Sequence, residues 1–119
     1  MRILIIDDDQ VVLTMLVRMT RHLGHTPLEA SNFGAGLEIV RTEVVDCILL
    51  DVTLVGVSGG VGMEALQEIH IPLILMSGLD EQSASRHLGI IRRLEFLFLP
   101  KPFGFSQMQQ ALEHAGVAA

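Results

Sequence analysis

The sequence predicts an α/β fold in which a five-stranded parallel sheet carries helices on both faces. Short and nearly continuous apolar runs alternate five times with segments whose apolar residues recur at helical spacing. Such runs are typical of parallel strands, which are covered on both faces. Regular alternation of strands with helices favours right-handed crossovers and a doubly wound sheet. The chain of 119 residues is therefore expected to form a single domain, residues 1–119.

The first half of the chain is predicted to hold three strands and two helices. Apolar residues recur at helical spacing over residues 9–23, and Gly24 then supplies a helix stop. Pro27 favours an edge position for the second strand, because proline lacks the N–H that a central ladder needs. Ser31 or Asn32 is suited to cap the second helix. The predicted segments are a strand at 2–6, a helix at 9–23, a strand at 26–30, a helix to about 41 and a strand at 46–50.

The second half continues the alternation after a glycine-rich loop at residues 51–61. Ser77 and Gly78 turn the chain out of the fourth strand, and Ser106 is suited to cap the last helix. The predicted segments are a helix at 62–69, a strand at 72–76, a helix from 80 or 83 to about 92, a strand at 95–99 and a helix from 106 to about 115.

Composition and charge exclude several classes of function. Half of the residues are hydrophobic, and the net charge of −6 argues against direct binding of nucleic acid, which needs clustered Lys and Arg. The same charge argues against binding to an anionic membrane surface. No run approaches the ~20 apolar residues that cross a bilayer, and the N-terminus lacks a signal-peptide pattern. A cytoplasmic protein without a membrane segment is expected.

Cysteine, histidine and methionine side chains are given structural roles. Cys47 is the only cysteine and falls in an apolar strand, which predicts a small buried hydrophobe. The histidines show no metal-ligand spacing and are predicted at the surface, whereas the methionines named here are predicted in the core. The histidines are His22, His25, His70, His87 and His114, and the methionines with a predicted core position are Met15, Met19, Met63, Met76 and Met108.

Carboxylates follow two of the predicted buried strands. Asp7 and Asp8 come after the first strand, and Asp51 comes after the third. The carboxyl ends of these strands meet at one edge, where open α/β sheets bind ligands. Two unit charges about 4 Å apart repel by roughly 4 kcal/mol at an effective dielectric of about 20. A hard cation with oxygen ligands, Mg²⁺, is therefore the first candidate to offset them. Asp9 is instead predicted to start the first helix.

A hydroxyl and a lysine are predicted at the same edge. Ser77 follows the fourth strand and Lys101 follows the fifth. An aspartate such as Asp51 is a nucleophile that forms acyl phosphates. A lysine supplies a point charge to the phosphoryl oxygens, and a hydroxyl supplies a hydrogen bond. The set of side chains therefore fits phosphoryl transfer to a carboxylate.

The order of these residues resembles the receiver domain of two-component response regulators over essentially the whole chain. The resemblance rests on the acidic pair, Asp51, Ser77 and Lys101-Pro102, each at the end of a strand. It implies a (βα)5 flavodoxin-like fold and a signalling function. Such a domain takes a phosphoryl group from a histidine kinase and catalyses only its own phosphorylation and dephosphorylation.

The resemblance also implies a metal site. Asp51 is the phosphoacceptor and a metal ligand, Asp8 is a direct ligand of Mg²⁺, and Asp7 holds the ion largely through water. Thr53, two residues after the acceptor, gives its backbone carbonyl to the metal.

Three further positions carry the implied phosphoryl contacts and the switch. Ser77 bonds a phosphoryl oxygen, and Lys101 pairs with Asp51 and later with the phosphoryl group; a cis peptide before Pro102 fits the family. Phe98 stands where the family has an aromatic ring that turns inward when the serine is drawn to the phosphoryl group. That movement alters the face formed by the predicted helix at 80–92, the fifth strand and the last helix. The alternation of Phe98 with two leucines fits plain core packing as well.

Partners follow from the same resemblance. The donor is a sensor histidine kinase or a phosphotransfer protein, whose pairing is set by the first helix and nearby loops. The switch face is a candidate for homodimerisation. Residues 77–81 and 99–103 are weakly similar to receivers joined to cyclic-di-GMP phosphodiesterase domains, which suggests an output domain in a longer chain.

Two positions depart from the family pattern. Val55 stands where a proline is usual, in the glycine-rich loop. Leu79, two residues after Ser77, is apolar, and we hypothesise that it hinders the attacking water and slows loss of the phosphoryl group.

Two other functions are consistent with parts of the sequence. Asp7 to Asp9 fit the opening pattern of haloacid-dehalogenase-type phosphatases, but that family needs a further acidic pair after the lysine, and only Glu113 follows Lys101. A phosphatase would depend on Asp7 rather than Asp51. A pseudo-receiver, which binds partners without phosphorylation, would lack Mg²⁺-dependent phosphorylation.

Overall fold

The structure, a computed structural model, describes residues 1–51, 70–78 and 97–116. The predicted helices at 62–69 and 80–92 and the positions Thr53, Val55 and Leu79 lie outside these ranges. The described elements are β1 (Arg2–Ile6), α1 (Gln10–His22), β2 (Thr26–Ala30), α2 (Phe33–Thr42), β3 (Cys47–Asp51), β4 (Leu73–Ser77), β5 (Leu97–Pro100) and α3 (Phe105–His114).

The five strands form one sheet in the order β2-β1-β3-β4-β5. Every neighbouring pair is parallel, which confirms the predicted sheet, and β2 with its Pro27 lies at an edge as predicted. The register aligns Asp51 at the end of β3 with Met76, and Ser77 at the end of β4 with Pro100. The residues at and directly after the carboxyl ends of the strands therefore lie at one edge of the sheet.

Alternate strand residues point to opposite faces, and each face has its own core. Leu4 and Ile6 of β1 belong to the cluster that includes Phe33 of α2. Ile3 and Ile5 belong to the other cluster, which α1 and α3 cover. Helices thus lie on both faces, in agreement with the prediction. The buried residues that α1 and α3 supply to that second cluster are Leu13, Leu16, Val17, Met19, Met108 and Leu112.

Side chains fix where the helices begin. The carboxylate of Asp9 accepts hydrogen bonds from the N–H groups of Val11 and Val12 at 3.0 and 3.3 Å, so its predicted role at the start of α1 is confirmed. Asn32 is the cap of α2. The prediction of Ser106 as the last cap is wrong: α3 begins after Gly104, whose N–H donates to the side chain of Gln107 at 2.9 Å.

Among the described residues, two predictions of burial are wrong, whereas Cys47 is buried as predicted; His87 and Met63 lie outside the described ranges. His25 is buried and not at the surface, because Gly24, with φ +89°, turns the chain back under α1 and the His25 N–H donates to Thr20 O. Met15 is 46% exposed, because α1 turns Leu16 rather than Met15 towards the sheet.

Within the described part of the chain, no helix has both the length and the apolar character needed to cross a bilayer.

Candidate functional site

Three carboxylates meet at the carboxyl edge of the sheet. Asp7 follows β1 and is fully buried, Asp51 ends β3 and is 6% exposed, and Asp8 is exposed. One oxygen from each carboxylate lies within 4.8 Å of the others, so the three could hold a metal ion. An all-oxygen donor set with an open side suits a hard divalent cation such as Mg²⁺. The residues present therefore fit the expected metal.

Both carboxylate oxygens of Asp7 are engaged by protein donors. Oδ1 accepts a hydrogen bond from the backbone N–H of Asp9 at 2.9 Å. Oδ2 accepts from the ammonium of Lys101, also at 2.9 Å. The backbone N–H of Asp7 donates to Ala30 O at 3.1 Å, which ties the residue to β2. Asp7 is thus held at both carboxylate oxygens and at its backbone N–H.

Lys101 places one positive charge between two acids. Its Nζ lies 3.2 Å from Asp51 Oδ2 in addition to the contact with Asp7, and its side chain is 23% exposed. Its backbone N–H donates to Ser77 O at 2.7 Å, and the peptide bond to Pro102 is cis, as the resemblance implies. Burial alone lowers the pKa of Lys101, but the hydrogen bond to Asp7 and the charge of Asp51 outweigh it and raise the pKa.

Two more predicted residues lie on β4 and β5. Ser77 is the last residue of β4 and is 1% exposed, beside the end of β5. Phe98 is half-buried and packs against the α2-side core cluster. The structure therefore brings five of the predicted residues to one edge: Asp7, Asp8, Asp51, Ser77 and Lys101. Phe98 lies in β5, beside the strand that ends at Ser77.

An apolar groove adjoins this edge and was missed from the sequence. It has a volume of about 660 Å³ and runs between α1 and the segment that leads into α3. Val11 is 79% exposed, and Met15 and Phe105 are each 46% exposed along it. Arg18 and Gln10 also line it. The sequence did contain a sign of this groove, because α1 has more apolar residues than the single stripe that faces the core. The assignment of Met15 to the core concealed that sign.

Comparisons with known proteins agree with the geometry. The chain matches the family model described as response regulator receiver domain over residues 3–113. It is 31% identical over 86 residues to Protein PilH of Pseudomonas aeruginosa, which covers 69% of this chain and 71% of that protein. It is 28% identical over 115 residues to Transcriptional regulatory protein ZraR of Escherichia coli K12, which covers 95% of this chain but only 26% of ZraR.

A solved structure supports the fold. The crystal structure of a response regulator receiver domain protein (CheY-like) from Methanospirillum hungatei JF-1 superposes with a TM-score of 0.75 at 22% sequence identity. The superposition covers 95% of this chain and 90% of that one. At this identity the likeness concerns the arrangement of strands and helices.

Proposed function

The chain belongs to the response regulator receiver domain family, and on that premise we propose that Asp51 is its phosphoacceptor. The observation that carries this proposal is the position of Asp51 at the end of β3, within reach of both the acidic pair and Lys101. We take residues 1–119 to form one such domain. Asp8 and Asp51 would hold Mg²⁺ directly, Asp7 through water, and Thr53 through its backbone carbonyl.

The proposed reaction is an in-line transfer from a phosphohistidine. An oxygen of Asp51 forms a bond to phosphorus while the donor's P–N bond breaks, and the imidazole nitrogen keeps the electron pair. Bound Mg²⁺ would supply charge neutralisation at the phosphoryl oxygens. Lys101 contributes a point charge to the same oxygens, and Ser77 donates a hydrogen bond to one of them. The chain thus positions and stabilises, and the acyl phosphate on Asp51 stores the signal.

The groove beside the site is proposed as the docking surface for the donor. Receiver domains interact with histidine kinases, and the donor here is a sensor histidine kinase or a phosphotransfer protein. The groove continues from the site because Gln10 follows the acidic residues and Phe103 follows Lys101-Pro102. An apolar helix of the donor would cover Val11 and Met15 and bring its histidine to Asp51.

Phosphorylation is proposed to be read through Ser77 and Phe98. A hydroxyl drawn to the phosphoryl group vacates space into which the half-buried ring of Phe98 turns. The face formed by the predicted helix at 80–92, β5 and α3 changes as a result. This face is also the candidate homodimer surface. Sedimentation velocity with and without beryllofluoride, an acyl-phosphate mimic, tests it: dimerisation only with the mimic supports it, and a monomer in both conditions contradicts it.

The wider role of the chain is a further proposal. The chain spans 71% of PilH but about a quarter of ZraR. We propose that it is part of a longer protein with an output domain. The weak similarity of residues 77–81 and 99–103 suggests a cyclic-di-GMP phosphodiesterase as that domain. No direct contact with nucleic acid or membrane is proposed for the receiver itself, in view of its net charge of −6. A cytoplasmic location fits a kinase donor.

Intact mass after incubation with Mg²⁺ and acetyl phosphate tests the proposed acceptor. The parent is expected to gain one phosphoryl group and Asp51→Asn none. Asp9→Asn is the matched control, because Asp9 caps α1 and does not belong to the acidic cluster, and it should be phosphorylated like the parent. Removal of Mg²⁺ with a chelator should abolish the gain.

Two results would favour the other functions. A folded parent that gains no phosphoryl group, from acetyl phosphate or from a phosphohistidine donor, would contradict the proposal and favour a pseudo-receiver. A phosphoryl group retained in Asp51→Asn but lost in Asp7→Asn would favour the phosphatase interpretation.

A further inference from the structure

The groove between α1 and the segment that leads into α3 has the features of a small-molecule site. Its volume of about 660 Å³ lies within the roughly 300–1,000 Å³ of typical ligand pockets, which combine apolar walls with a few polar groups. Val11, Met15 and Phe105 line it and are each at least 46% exposed. We propose that the groove binds a small amphipathic monocarboxylate, whose apolar body covers these side chains and whose carboxylate pairs with Arg18.

The charge of the groove complements such a ligand. Among the described residues that line the groove, Arg18 alone is charged, and it forms no ion pair with any described residue. The 13 residues of α1 include no Asp or Glu, although the net charge of the chain is −6. A guanidinium matches a carboxylate with two parallel hydrogen bonds. One unpaired cation beside apolar surface therefore suits a ligand with a single negative charge.

The order of the residues along α1 gives the ligand a direction. Val11, Met15 and Arg18 follow the spacing of one helix face. A rise of 1.5 Å per residue places Arg18 about 10 Å along the helix axis from Val11. Asp8 and Asp9 are exposed just before α1, at the Val11 end, where they would repel an anion. The carboxylate is therefore assigned to the Arg18 end, and the apolar body extends towards Val11.

The walls of the groove suit an aliphatic ligand. Met15 and Met19 lie on the α1 side, and methionine side chains adapt to irregular apolar shapes. Phe103 and Phe105 lie on the opposite side. The ring of Phe105 contacts the ring of His22, one turn beyond Arg18, with centroids 4.9 Å apart. This contact holds the Phe105 ring near the end of the groove to which the carboxylate is assigned.

A bound ligand would also affect phosphotransfer. The same groove is the proposed docking surface of the phosphohistidine donor, so an occupied groove would exclude that donor. This consequence rests on the proposed function, whereas binding of the ligand does not. Small phosphoryl donors need access only to the edge that holds Asp51, and their reaction should be unaffected.

Octanoate and octan-1-ol are matched probes, because they share an aliphatic chain and differ in charge. Protein labelled with ¹³C at the methionine methyl groups reports binding in a proton–carbon correlation spectrum, with signals assigned from single Met→Leu variants. Octanoate should shift the signals of Met15 and Met19 saturably. Met76, which is fully buried in β4 and does not line the groove, should not respond. Octan-1-ol should bind severalfold more weakly than octanoate.

Two variants of α1 test the role of Arg18. Arg18→Gln should lower the affinity for octanoate to that for octan-1-ol and leave the affinity for octan-1-ol unchanged. Arg21→Gln is the matched control, because Arg21 is an exposed arginine of the same helix that does not line the groove. It should bind both probes like the parent. Circular dichroism confirms that each variant is folded.

The results that would overturn the site are distinct from those that would overturn the proposed function. Absence of saturable shifts at Met15 and Met19, equal affinity of the parent for both probes, or equal losses in the Arg18 and Arg21 variants would overturn it. These readouts need no phosphorylation, so failure of Asp51 as the acceptor would leave them intact. Saturating octanoate should slow transfer from a phosphohistidine donor but not from acetyl phosphate. Transfer that is not slowed would contradict the docking role of the groove and not the ligand site.

Discussion

Lys101 Nζ lies 3.2 Å from Asp51 Oδ2, although the two residues come from strands that are not neighbours. Asp51 ends β3, and Lys101 follows β5, with β4 between them. The parallel register brings both residues to one edge, so a side chain of lysine length closes the remaining distance. The positive charge that the acidic cluster requires is thus supplied first by the chain itself.

Removal of the Lys101 charge is expected to destabilise the fold. Lys101→Met leaves the fully buried carboxylate of Asp7 without its counter-charge. Breaking a buried ion pair costs about 3–5 kcal/mol, and the 23% exposure of the lysine side chain places the expected loss at or below the lower end. Urea unfolding followed by circular dichroism without metal measures it, and added Mg²⁺ should recover part of the loss.

The matched control for that variant is Arg41→Met. Arg41 pairs with Glu38 at 3.9 Å, and both side chains are largely exposed, so its loss should change the unfolding midpoint little. Equal effects of the two variants would contradict the assignment of Lys101 to a buried pair.

The buried His25 should make stability depend on pH. Burial, and then the positive N-terminal amine, lower the pKa of His25 from its usual 6.5, and its Nδ1 is a buried side-chain atom without a partner in the described part of the chain. Below pH 6.5 the unfolded chain therefore binds the proton more readily than the folded chain. The stability that depends on a neutral His25 should be fully present above pH 6.5. It should be lost as pH falls through the lowered pKa that His25 has in the folded chain.

Urea unfolding at about pH 8 and about pH 5.5, on either side of the ordinary histidine pKa, measures this effect. His25→Leu should flatten the difference between the two conditions. His70→Gln, at an exposed histidine, should retain it. A parent whose midpoint does not change with pH would contradict the role given to His25.

The close approach of α2 to β1 should forbid a side chain at position 36. A Cβ there would lie 2.9 Å from Ile6 Cγ1 and closer still to Ile6 Cδ1, and Ile6 is fully buried. Gly36→Ala is expected to destabilise by about 1–3 kcal/mol through overpacking. Gly34→Ala, in the same helix, meets only Asn32 Oδ1 at 3.5 Å and should stabilise by about 0.5–1 kcal/mol. Stabilisation by both substitutions in urea unfolding would show that Gly36 is not needed for packing.

The cap of α1 should contribute to stability without contributing to metal binding. Asp9→Ala removes the acceptor of the Val11 and Val12 N–H groups and should cost about 1 kcal/mol. Asp9→Ser restores an acceptor and should recover most of the loss in thermal or urea unfolding. Mg²⁺ affinity by calorimetry should be the same in all three proteins; a clear drop in Asp9→Ser would place Asp9 in the metal site.

The site was predictable from the sequence where local signals decide the outcome. Asp7, Asp8, Asp51 and Lys101 each follow or end an apolar run, and parallel strands bring such positions to one edge. The bond between Lys101 and Asp7 was not predictable, because it depends on the strand order and the reach of one side chain. The cap at Gly104 was missed because its partner is a glutamine three residues later.

Burial was harder to predict than the strands. His25 is polar, and only the positive φ of Gly24 carries it beneath α1. Met15 lies on the flank of the apolar stripe of α1, where helical spacing alone does not separate the core from the adjoining groove. In both cases the outcome depends on how far one element covers the next, which is a property of the assembled sheet and helices.

The most direct test of the central claim is chemical identification of the phosphorylated residue. The protein is incubated with Mg²⁺ and a phosphoryl donor, and borohydride then reduces any acyl phosphate to homoserine, which tandem mass spectrometry locates. Homoserine at position 51 alone is the predicted result. Homoserine at position 7 or 8, or phosphoryl uptake without any homoserine at position 51, would contradict the assignment of Asp51 as the phosphoacceptor.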